Sequence, residues 1–523
     1  MPSRRTYAIT LFLILVVCYG YFMPKWADWG ANSRADLTYA LGDQGVLHID
    51  AYHTNTGDKA CYPGPFTPAE DPNDKTGGSC EGHFYSDKSL GPSLLALPPY
   101  VVFRLVAGLS PVQRFIERAG SLGSFAATAN PAGSEVTYDD IYQYMALIFI
   151  TFFATSVPSA LLGVVVFLLA CRFTKRELYA FLVGLVYGLA TIAFPYSNAL
   201  YQHQLAAFGM FVGFFLLWRV VYEGAHLRWL WLVGVLFSFA VITEYPVVPA
   251  LGIIFLWAAF TMPNRLQLYR VVLGALPLGL IFAAYNYAIF STPLPVGYEY
   301  STNWQDVHQV GFLSLTIPNP QTLIGLTISP FRGIFFLSPV LLLALPGFVW
   351  LWREHKALRG GIAMLAMVVV FFFMYNSSSA MWWGGHTVGP RYLTPMVPFL
   401  AVPLVAAFER AGRNRVWLAV AALLVVLAFA NVWIQSISGQ AWPPADTATG
   451  ARLDNPLFDY SLPLFMQGNL ARNYGMIAGL DGFLSLLPLG LVVALIATLL
   501  PRWLNRREQR VHLTTQKAAG GTR

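Results

Sequence analysis

The run TYAITLFLILVVCYGYFMP (residues 6–24) is uncharged and mostly apolar, and a polar segment from Lys25 to about Pro92 follows it directly. A run of about 20 such residues is long enough to cross a membrane as a helix. Its end offers no small-x-small cleavage site, which favours a retained span over a signal peptide. A polar loop of that length between spans is uncommon unless it has a function. These two segments predict a membrane protein with a functional first loop.

The composition differs from that of a soluble enzyme. Of the 523 residues, 56% are hydrophobic and 11% are charged, whereas soluble domains carry about 25% charged residues. Apolar runs approaching about 20 residues recur along the chain. We predict an all-α polytopic membrane protein of about 12 transmembrane helices, with a long first extracytoplasmic loop that carries juxtamembrane helices.

The predicted spans lie near residues 6–23, 141–171, 178–195, 200–218, 229–243, 246–262, 271–290, 333–352, 361–375, 392–409, 416–435 and 481–500. The stretch 229–262 is either two spans or one kinked span, because Glu244-Tyr245-Pro246 can form a turn or a kink. Segment 89–108 contains three prolines and Arg104. We expect it to lie on the membrane surface as an interfacial helix.

Short basic loops indicate the orientation, since cytoplasmic loops are rich in Lys and Arg. With a cytoplasmic N-terminus, every alternate connection is cytoplasmic and carries the basic residues. These are Arg172, Lys175, Arg176, Arg219, Arg228, Arg265, Arg270, Arg353, Lys356, Arg359, Arg410, Arg413 and Arg415. This explains the net charge of +7 without a nucleic-acid partner. We predict an integral protein of the bacterial inner membrane with both termini in the cytoplasm.

The same orientation divides the chain into regions. Residues 1–23 hold the N-terminal tail and first transmembrane helix, and 24–140 form an extracytoplasmic loop with juxtamembrane helices and catalytic residues. Residues 141–435 form the helix bundle, with outer loops 291–332 and 376–391. A further extracytoplasmic loop spans 436–480, and 481–523 hold the last transmembrane helix and a basic cytoplasmic tail.

Two of the four cysteines, Cys61 and Cys80, share the first loop. We predict a disulfide between them, which would close a loop of about 20 residues and stabilise the fold by roughly 3 kcal/mol in an oxidising compartment. The alternative is a pair of free thiols. Their spacing is too long for a Cys-x-x-Cys metal knuckle, and we predict no metal site.

Arginines in short outer loops run against the usual charge distribution and need a separate reason. Arg332 and Arg391 are two such residues, and the planar guanidinium suits bidentate contact with phosphate. Lys88 precedes the predicted interfacial helix and is placed to meet a phosphate as a point charge. We predict that these three cations bind a phosphate; the alternative is contact with lipid headgroups or a local salt bridge.

Candidate acid–base groups lie in the same outer regions. Asp36, Asp50 and Asp87 are carboxylates of the first loop, and one of them could remove a proton from an incoming hydroxyl. The alternative for each is a solvated surface aspartate. We also predict a group of substrate-binding residues, since polar groups at helix ends and flat aromatic rings suit sugars: Tyr85, Tyr201, His203, Glu244, Trp383 and His386. A hydrogen-bonded structural role is the alternative for His203.

The order of these features resembles a known family. A first span, a long acidic loop and Tyr85-Ser86-Asp87-Lys88-Ser89-Leu90-Gly91-Pro92 precede many spans, with Tyr285-Asn286, Gly297-Tyr298, Ser329-Pro330-Phe331-Arg332-Gly333 and Gly389-Pro390-Arg391-Tyr392-Leu393 further on. This resembles the GT-C superfamily of glycosyltransferases that use polyprenyl-phosphate sugars. It looks most like the bacterial branch related to protein mannosyltransferases and the lipid A aminoarabinose transferase. The resemblance implies an essential carboxylate in the first outer loop, and we carry that role to Asp36.

The expected activity is an inverting sugar transfer on the outer face, from a polyprenyl-phosphate-sugar donor to a hydroxyl of a glycan, lipid or protein. The membrane lipid is the other expected partner. No cofactor is required, and a divalent metal is possible but not predicted. A transporter or flippase of lipid-linked saccharides is the main alternative, although it would predict charges in mid-span and inverted repeats. An oligosaccharide ligase or polymerase shares the same topology.

Overall fold

The computed structural model describes residues 2–26, 28–71, 74–120, 137–305, 310–311, 314–447 and 451–520. It is 69% helix and 4% strand. The helices in chain order are α1 (Arg4–Gly20), α2 (Trp29–Asp43), α3 (Leu90–Ala107), α4 (Ser110–Gly120), α5 (Tyr138–Ala170), α6 (Glu177–Leu189), α7 (Ala193–Tyr196), α8 (Gln202–Glu223), α9 (Trp229–Thr243), α10 (Val247–Thr261) and α11 (Tyr269–Phe290). They continue as α12 (Pro320–Thr327), α13 (Ile334–Leu337), α14 (Ala344–Glu354), α15 (Arg359–Ser377), α16 (Val397–Ala401), α17 (Leu404–Ala411), α18 (Arg415–Ile437), α19 (Leu462–Met466), α20 (Tyr474–Ile477) and α21 (Leu487–Gly520).

Long apolar helices make this chain an integral membrane protein. Among the described residues, seven helices are long and apolar enough to cross a membrane, and an eighth span arises if the pair Arg391–Ala401 and Leu404–Ala411, bent by 53°, counts as one. The total of about 12 spans stays a prediction, since α6, α9 and α10 are shorter apolar helices. Helix α3 meets the same criterion, so its interfacial position also stays a prediction.

Prolines and turns interrupt several predicted spans. The segment predicted at 333–352 is divided into α13, a 3₁₀ turn from Pro339 to Leu343, and α14. Proline lacks the backbone N–H that would continue the helical ladder. The stretch 229–262 forms two helices that run in opposite directions. Glu244, between them, contacts His203 at the start of α8, whereas Trp257 in α10 stacks near Tyr222 at the end of α8.

Small residues allow helices of the bundle to approach closely. Helix α9 packs most extensively against α8 and α11. A Cβ atom on Gly234 would lie 2.1 Å from the backbone oxygen of Val271, and one on Gly274 would lie 2.3 Å from that of Trp231. Backbone contact of this kind is typical of helix pairs in membranes.

The first loop contains strands, which corrects the all-α prediction for this segment. Strand β1 (Lys59–Tyr62) pairs antiparallel with β4 (His83–Ser86), and β2 (Phe66–Thr67) pairs with β3 (Ser79–Cys80). A disulfide joins Cys61 to Cys80. These short strands were not recognised in the sequence because two to four residues carry little periodicity. Of the predicted extracytoplasmic loop 24–140, residues 27, 72–73 and 121–136 lie outside the described part.

The loops form two groups at opposite ends of the bundle. At one end, which we call the loop end, residues 24–89 meet the other long connections. Lys25 donates to the carbonyl of Ala441 at 2.9 Å, Asn303 donates to that of Gly57 at 2.7 Å, and Arg391 lies against Tyr201. At the other end, ion pairs such as Arg172–Glu223 join the short basic connections.

Candidate functional site

A lysine held between two buried aspartates forms the centre of the loop end. The Nζ atom of Lys88 lies 3.1 Å from Asp58 Oδ2 and 3.1 Å from Asp87 Oδ1. The strand register explains the arrangement. Lys59 pairs with Ser86, so Asp58 and Asp87 are the next facing positions, directly before β1 begins and directly after β4 ends. Side chains at facing positions of antiparallel strands are close neighbours.

Hydrogen bonds from a second loop distinguish the two carboxylates. Trp304 Nε1 donates to Asp58 Oδ1 at 2.7 Å, and the Ser301 hydroxyl donates to Asp87 Oδ2 at 2.8 Å. Burial alone raises the pKa of the Asp58 carboxyl, but Lys88 and the Trp304 hydrogen bond outweigh it and the pKa lies below its usual range. Burial raises the pKa of the Asp87 carboxyl; the Asp58 charge adds to this, and Lys88 opposes it. Two neighbouring carboxyls thus differ in their readiness to take up a proton.

Two arginines share one tyrosine ring beside this group. The guanidinium carbons of Arg34 and Arg391 each lie 5.6 Å from the centroid of the Tyr201 ring. Arg34 is 1% exposed. Neither arginine has a carboxylate oxygen within 4.0 Å among the residues that the structure describes. Arg34 donates to the carbonyl of Gly30 and to Gln202 Oε1, and Arg391 donates to the Tyr392 hydroxyl at 3.4 Å. The Nε donor of each guanidinium has no partner among the described residues. The arrangement is therefore suited to bind an anionic group.

Asp28 anchors this part of the site. Its Oδ1 accepts a hydrogen bond from the Tyr201 hydroxyl at 2.7 Å, and its Oδ2 accepts one from the indole N–H of Trp442 at 2.7 Å. Asp28 is also the N-cap of α2, where it accepts from the backbone N–H of Ala31. A carboxylate at a helix N-terminus stabilises that helix. Asp28 therefore fixes α2, and with it Arg34, relative to Tyr201.

A glycine allows α2 to approach Tyr201 at this point. A Cβ atom on Gly30 would lie 2.7 Å from the Tyr201 ring, with Arg34 and Asp58 also within 4 Å. Any larger side chain would displace the ring on which both arginines lie. Gly30 is therefore required for the close packing of the arginine pair.

Four buried polar atoms near the arginines have no hydrogen-bond partner among the described residues. They are Arg34 Nε, Arg391 Nε, His203 Nε2 and Glu244 Oε2. The other polar atoms of His203 and Glu244 bind each other, since His203 Nδ1 lies 2.9 Å from Glu244 Oε1. Most buried polar groups in proteins are satisfied, and each that is not costs about 1–3 kcal/mol. A polar ligand at the loop end would satisfy these atoms.

Several predicted residues come together here. Asp87 is one of the two buried carboxylates, and Lys88 lies between them. Arg391 lies against the Tyr201 ring. His203 is linked to the same group because its ring centroid lies 6.0 Å from that of Tyr201. Glu244 is linked to the same group because it contacts His203. The predicted phosphate-binding, catalytic and sugar-binding roles of these residues remain predictions.

Arg332 is occupied by backbone carbonyls, which argues against its predicted role in phosphate binding. It is 1% exposed and donates to the carbonyls of Trp383 at 3.1 Å and Gly385 at 2.9 Å. Its donors are already used, so its role is to fix the loop. The Trp383 ring packs against Arg452, and His386, in the same loop, is exposed.

Asp36 and Asp50 have partners other than Lys88, and their role as the base stays a prediction. Asp36 is fully buried, and its Oδ1 accepts from Asn55 at 3.1 Å. It projects from a different face of α2 than Arg34, because positions two apart on a helix diverge. Asp50 is bound instead by His83, with Nδ1 and Oδ2 2.6 Å apart. Tyr85 packs against Phe290.

Sequence reasoning missed Arg34 and Asp58. The sequence offers only a weak signal for Asp58, since the loop holds three Asp-Lys dipeptides: Asp58-Lys59, Asp74-Lys75 and Asp87-Lys88. Using it required the strand pairing that places the first and the third of these dipeptides side by side. For Arg34 the signal was a charged residue within a short helix directly after a span. Comparison of the chain with protein-family models and with curated proteins found no match.

Proposed function

We propose that this protein is a membrane glycosyltransferase that transfers a sugar from a polyprenyl-phosphate donor to an acceptor hydroxyl on the outer face of the membrane. One observation carries the proposal: Arg34 and Arg391 lie on one tyrosine ring beside the Asp58–Lys88–Asp87 group. Neither has a carboxylate oxygen within 4.0 Å in the described part of the chain. A phosphate would neutralise the two guanidiniums and satisfy their unpaired Nε donors. The loop end, where a lipid phosphate can reach them, would then face the outside.

The reaction needs a proton acceptor and a stabilised leaving group. We assign the proton acceptor to Asp87, because its raised pKa makes it the stronger base of the pair. The acceptor oxygen gives its proton to Asp87 and forms a bond to the anomeric carbon from the face opposite the phosphate. The bond from that carbon to the phosphate oxygen breaks, and the phosphate keeps the electron pair. The configuration of the sugar is therefore inverted.

The cations act on the charge that accumulates on the departing phosphate. Arg34 and Arg391 can donate hydrogen bonds to its oxygens, and preorganised donors of this kind stabilise a developing anion. Lys88 has two tasks. It keeps Asp58 ionised and holds both carboxylates in place, since its ammonium lies 3.1 Å from each.

Polar and aromatic groups at the loop end would bind the transferred sugar. The His203–Glu244 pair offers one unpaired donor or acceptor atom on each side chain. Sugars bind to such pairs through their hydroxyls, and aromatic rings such as that of Tyr298, whose centroid lies 5.3 Å from Lys88 Nζ, suit the apolar faces of sugar rings. We place the transferred sugar between these groups and Asp87.

The test uses protein reconstituted in liposomes with polyprenyl-phosphate sugars labelled in the sugar. The proposal expects release of unlabelled polyprenyl phosphate and a labelled product that depends on an intact Asp87. A flippase would move the labelled donor across the bilayer without releasing polyprenyl phosphate. A ligase would require a donor carrying a whole oligosaccharide, which the mass of the product reveals.

A further inference from the structure

A second polar cluster lies in the first loop, away from the Lys88 group. The Nδ1 atoms of His83 and His48 converge on one oxygen of Asp50, at 2.6 Å and 3.1 Å. The two imidazole rings stack with centroids 4.4 Å apart and planes 17° apart. All three potential ligand atoms lie within 4.8 Å of one another.

The backbone holds the three side chains in place. The other oxygen of Asp50 accepts from the Phe84 N–H at 2.7 Å, and the Ile49 N–H donates to the Phe84 carbonyl at 2.7 Å. Strand β4, which carries His83, is paired with β1 and linked through the Cys61–Cys80 disulfide. The cluster therefore rests on two paired backbone segments and not on a single free loop. Such support is what a preorganised ligand site requires.

Hydrogen bonds alone do not account for this arrangement. His48 Nδ1 is buried and makes no hydrogen bond of acceptable geometry in the described structure, although it lies 3.1 Å from Asp50. Both imidazoles face the same oxygen of Asp50. The hydrogen bond from His83 leaves the His48 ring without a good one. A cation among the three atoms would use both nitrogen lone pairs and the carboxylate together, after the stacked rings turn so that both lone pairs point at the ion.

We propose that His48, Asp50 and His83 bind a divalent transition-metal ion of the zinc class. Two imidazoles and one carboxylate suit Zn²⁺, whereas Mg²⁺ and Ca²⁺ prefer oxygen ligands throughout. Tetrahedral Zn²⁺ with bonds of about 2.0–2.1 Å places neighbouring ligand atoms roughly 3.3 Å apart. The His48–Asp50 distance of 3.1 Å already meets this, and the His83–Asp50 distance of 2.6 Å would open by roughly 0.7 Å.

The cluster is accessible to an ion, since the side chains of His83 and Asp50 are 50% and 36% exposed. Remaining coordination positions would be taken by water. A bound ion would tie residues 48–50 to β4, whose next residues are Asp87 and Lys88. The ion would thus stabilise the segment that leads to the Lys88 group without touching it.

The test measures Zn²⁺ binding directly. Full-length protein is purified in detergent without a polyhistidine tag, stripped with a chelator, and titrated with Zn²⁺ by calorimetry and by competition with a metal indicator. We expect one tight equivalent per chain and its loss in the double variant His48→Ala, His83→Ala. Asp50→Asn removes the anionic ligand and should also weaken binding. The control His226→Ala, at the opposite end of the bundle, should bind as the wild type does.

A measurement on the wild type avoids dependence on variants that fail to fold. Zn²⁺ should protect His48 and His83, but not His226, from modification by diethylpyrocarbonate, as read by mass spectrometry. The proposal is overturned if the wild type binds Zn²⁺ no more tightly than the double variant, or if Zn²⁺ leaves the modification of His48 and His83 unchanged.

Discussion

The ammonium of Lys88 lies 3.1 Å from the carboxylate of Asp58. Asp58 directly precedes β1, and Lys88 follows two residues after the end of its partner β4. The partner strand brings Asp87 to the same ammonium. The first loop thus places one cation and two acids where the long connections of the bundle meet.

Replacing Lys88 by methionine should abolish most of the transfer activity. The change keeps the length of the side chain but leaves Asp58 and Asp87 as an unpaired, mutually repelling pair. We expect turnover of the polyprenyl-phosphate sugar to fall on the order of 10²- to 10³-fold. The control is Lys75→Met, an exposed lysine of the same loop, which should keep wild-type turnover. Full activity in Lys88→Met would exclude the proposed centre.

The pH dependence of transfer should report the Asp87 carboxyl. Asp87 accepts a proton only when ionised, and its pKa is raised above the ordinary 3.8. The rate should therefore fall as the pH drops through that raised value, at a higher pH than an ordinary aspartate would give. Asp58→Asn removes the neighbouring negative charge that raises this pKa, so the acid limb of kcat/KM should move to lower pH. An unchanged acid limb in Asp58→Asn would argue for a different base.

Lysine in place of either arginine should weaken the binding of the donor. Lysine keeps the charge but loses the planar donor pair that suits phosphate. Loss of one charge-assisted hydrogen bond costs about 1.5–3 kcal/mol, which corresponds to roughly a 10- to 100-fold rise in the donor Kd. Arg34→Lys and Arg391→Lys are compared with Arg413→Lys, whose side chain is 72% exposed at the opposite end. Unaltered donor affinity in both variants would show that the donor phosphate does not bind to these two arginines.

Two glycines of neighbouring helices should respond to alanine in opposite ways. Gly234→Ala places a Cβ atom 2.1 Å from the Val271 backbone oxygen, and we expect a loss of roughly 1–3 kcal/mol through overpacking. A Cβ atom on Gly252 meets nothing within 4 Å, so Gly252→Ala should stabilise α10 by up to about 1 kcal/mol. Thermal unfolding in detergent measures both. A Tm for Gly234→Ala equal to the wild-type value would contradict the close packing of α9 against α11.

The sequence predicted where helices are present better than it predicted where they are broken. Apolar runs marked α5, α8, α11, α15, α18 and α21, because such runs are the dominant signal of a membrane chain. Continuity depends on local breaks. Pro339 was visible in the sequence, but whether it kinks or divides a helix depends on packing. The reversal between α9 and α10 was left open for the same reason, and contacts with both ends of α8 decide it.

The site was predictable only in part. Arg391 could be named from its unusual position in a short outer segment, and Lys88 from its position directly before the predicted interfacial helix. Asp58 could not be distinguished from the other acidic residues of the loop, because its importance arises from strand pairing across the loop. Asp36 was favoured by a family resemblance, yet the helix turns its side chain toward Asn55. Pairing between distant segments is the information that a single sequence carries least clearly.

The most direct test is a cryo-EM structure of the protein in lipid nanodiscs with bound polyprenyl phosphate. We predict that the phosphate oxygens lie within hydrogen-bonding distance, about 2.7–3.2 Å, of the guanidiniums of Arg34 and Arg391. The Lys88 ammonium should remain between Asp58 and Asp87. Density for the phosphate at any other position, with these two arginines left unoccupied, would contradict the account.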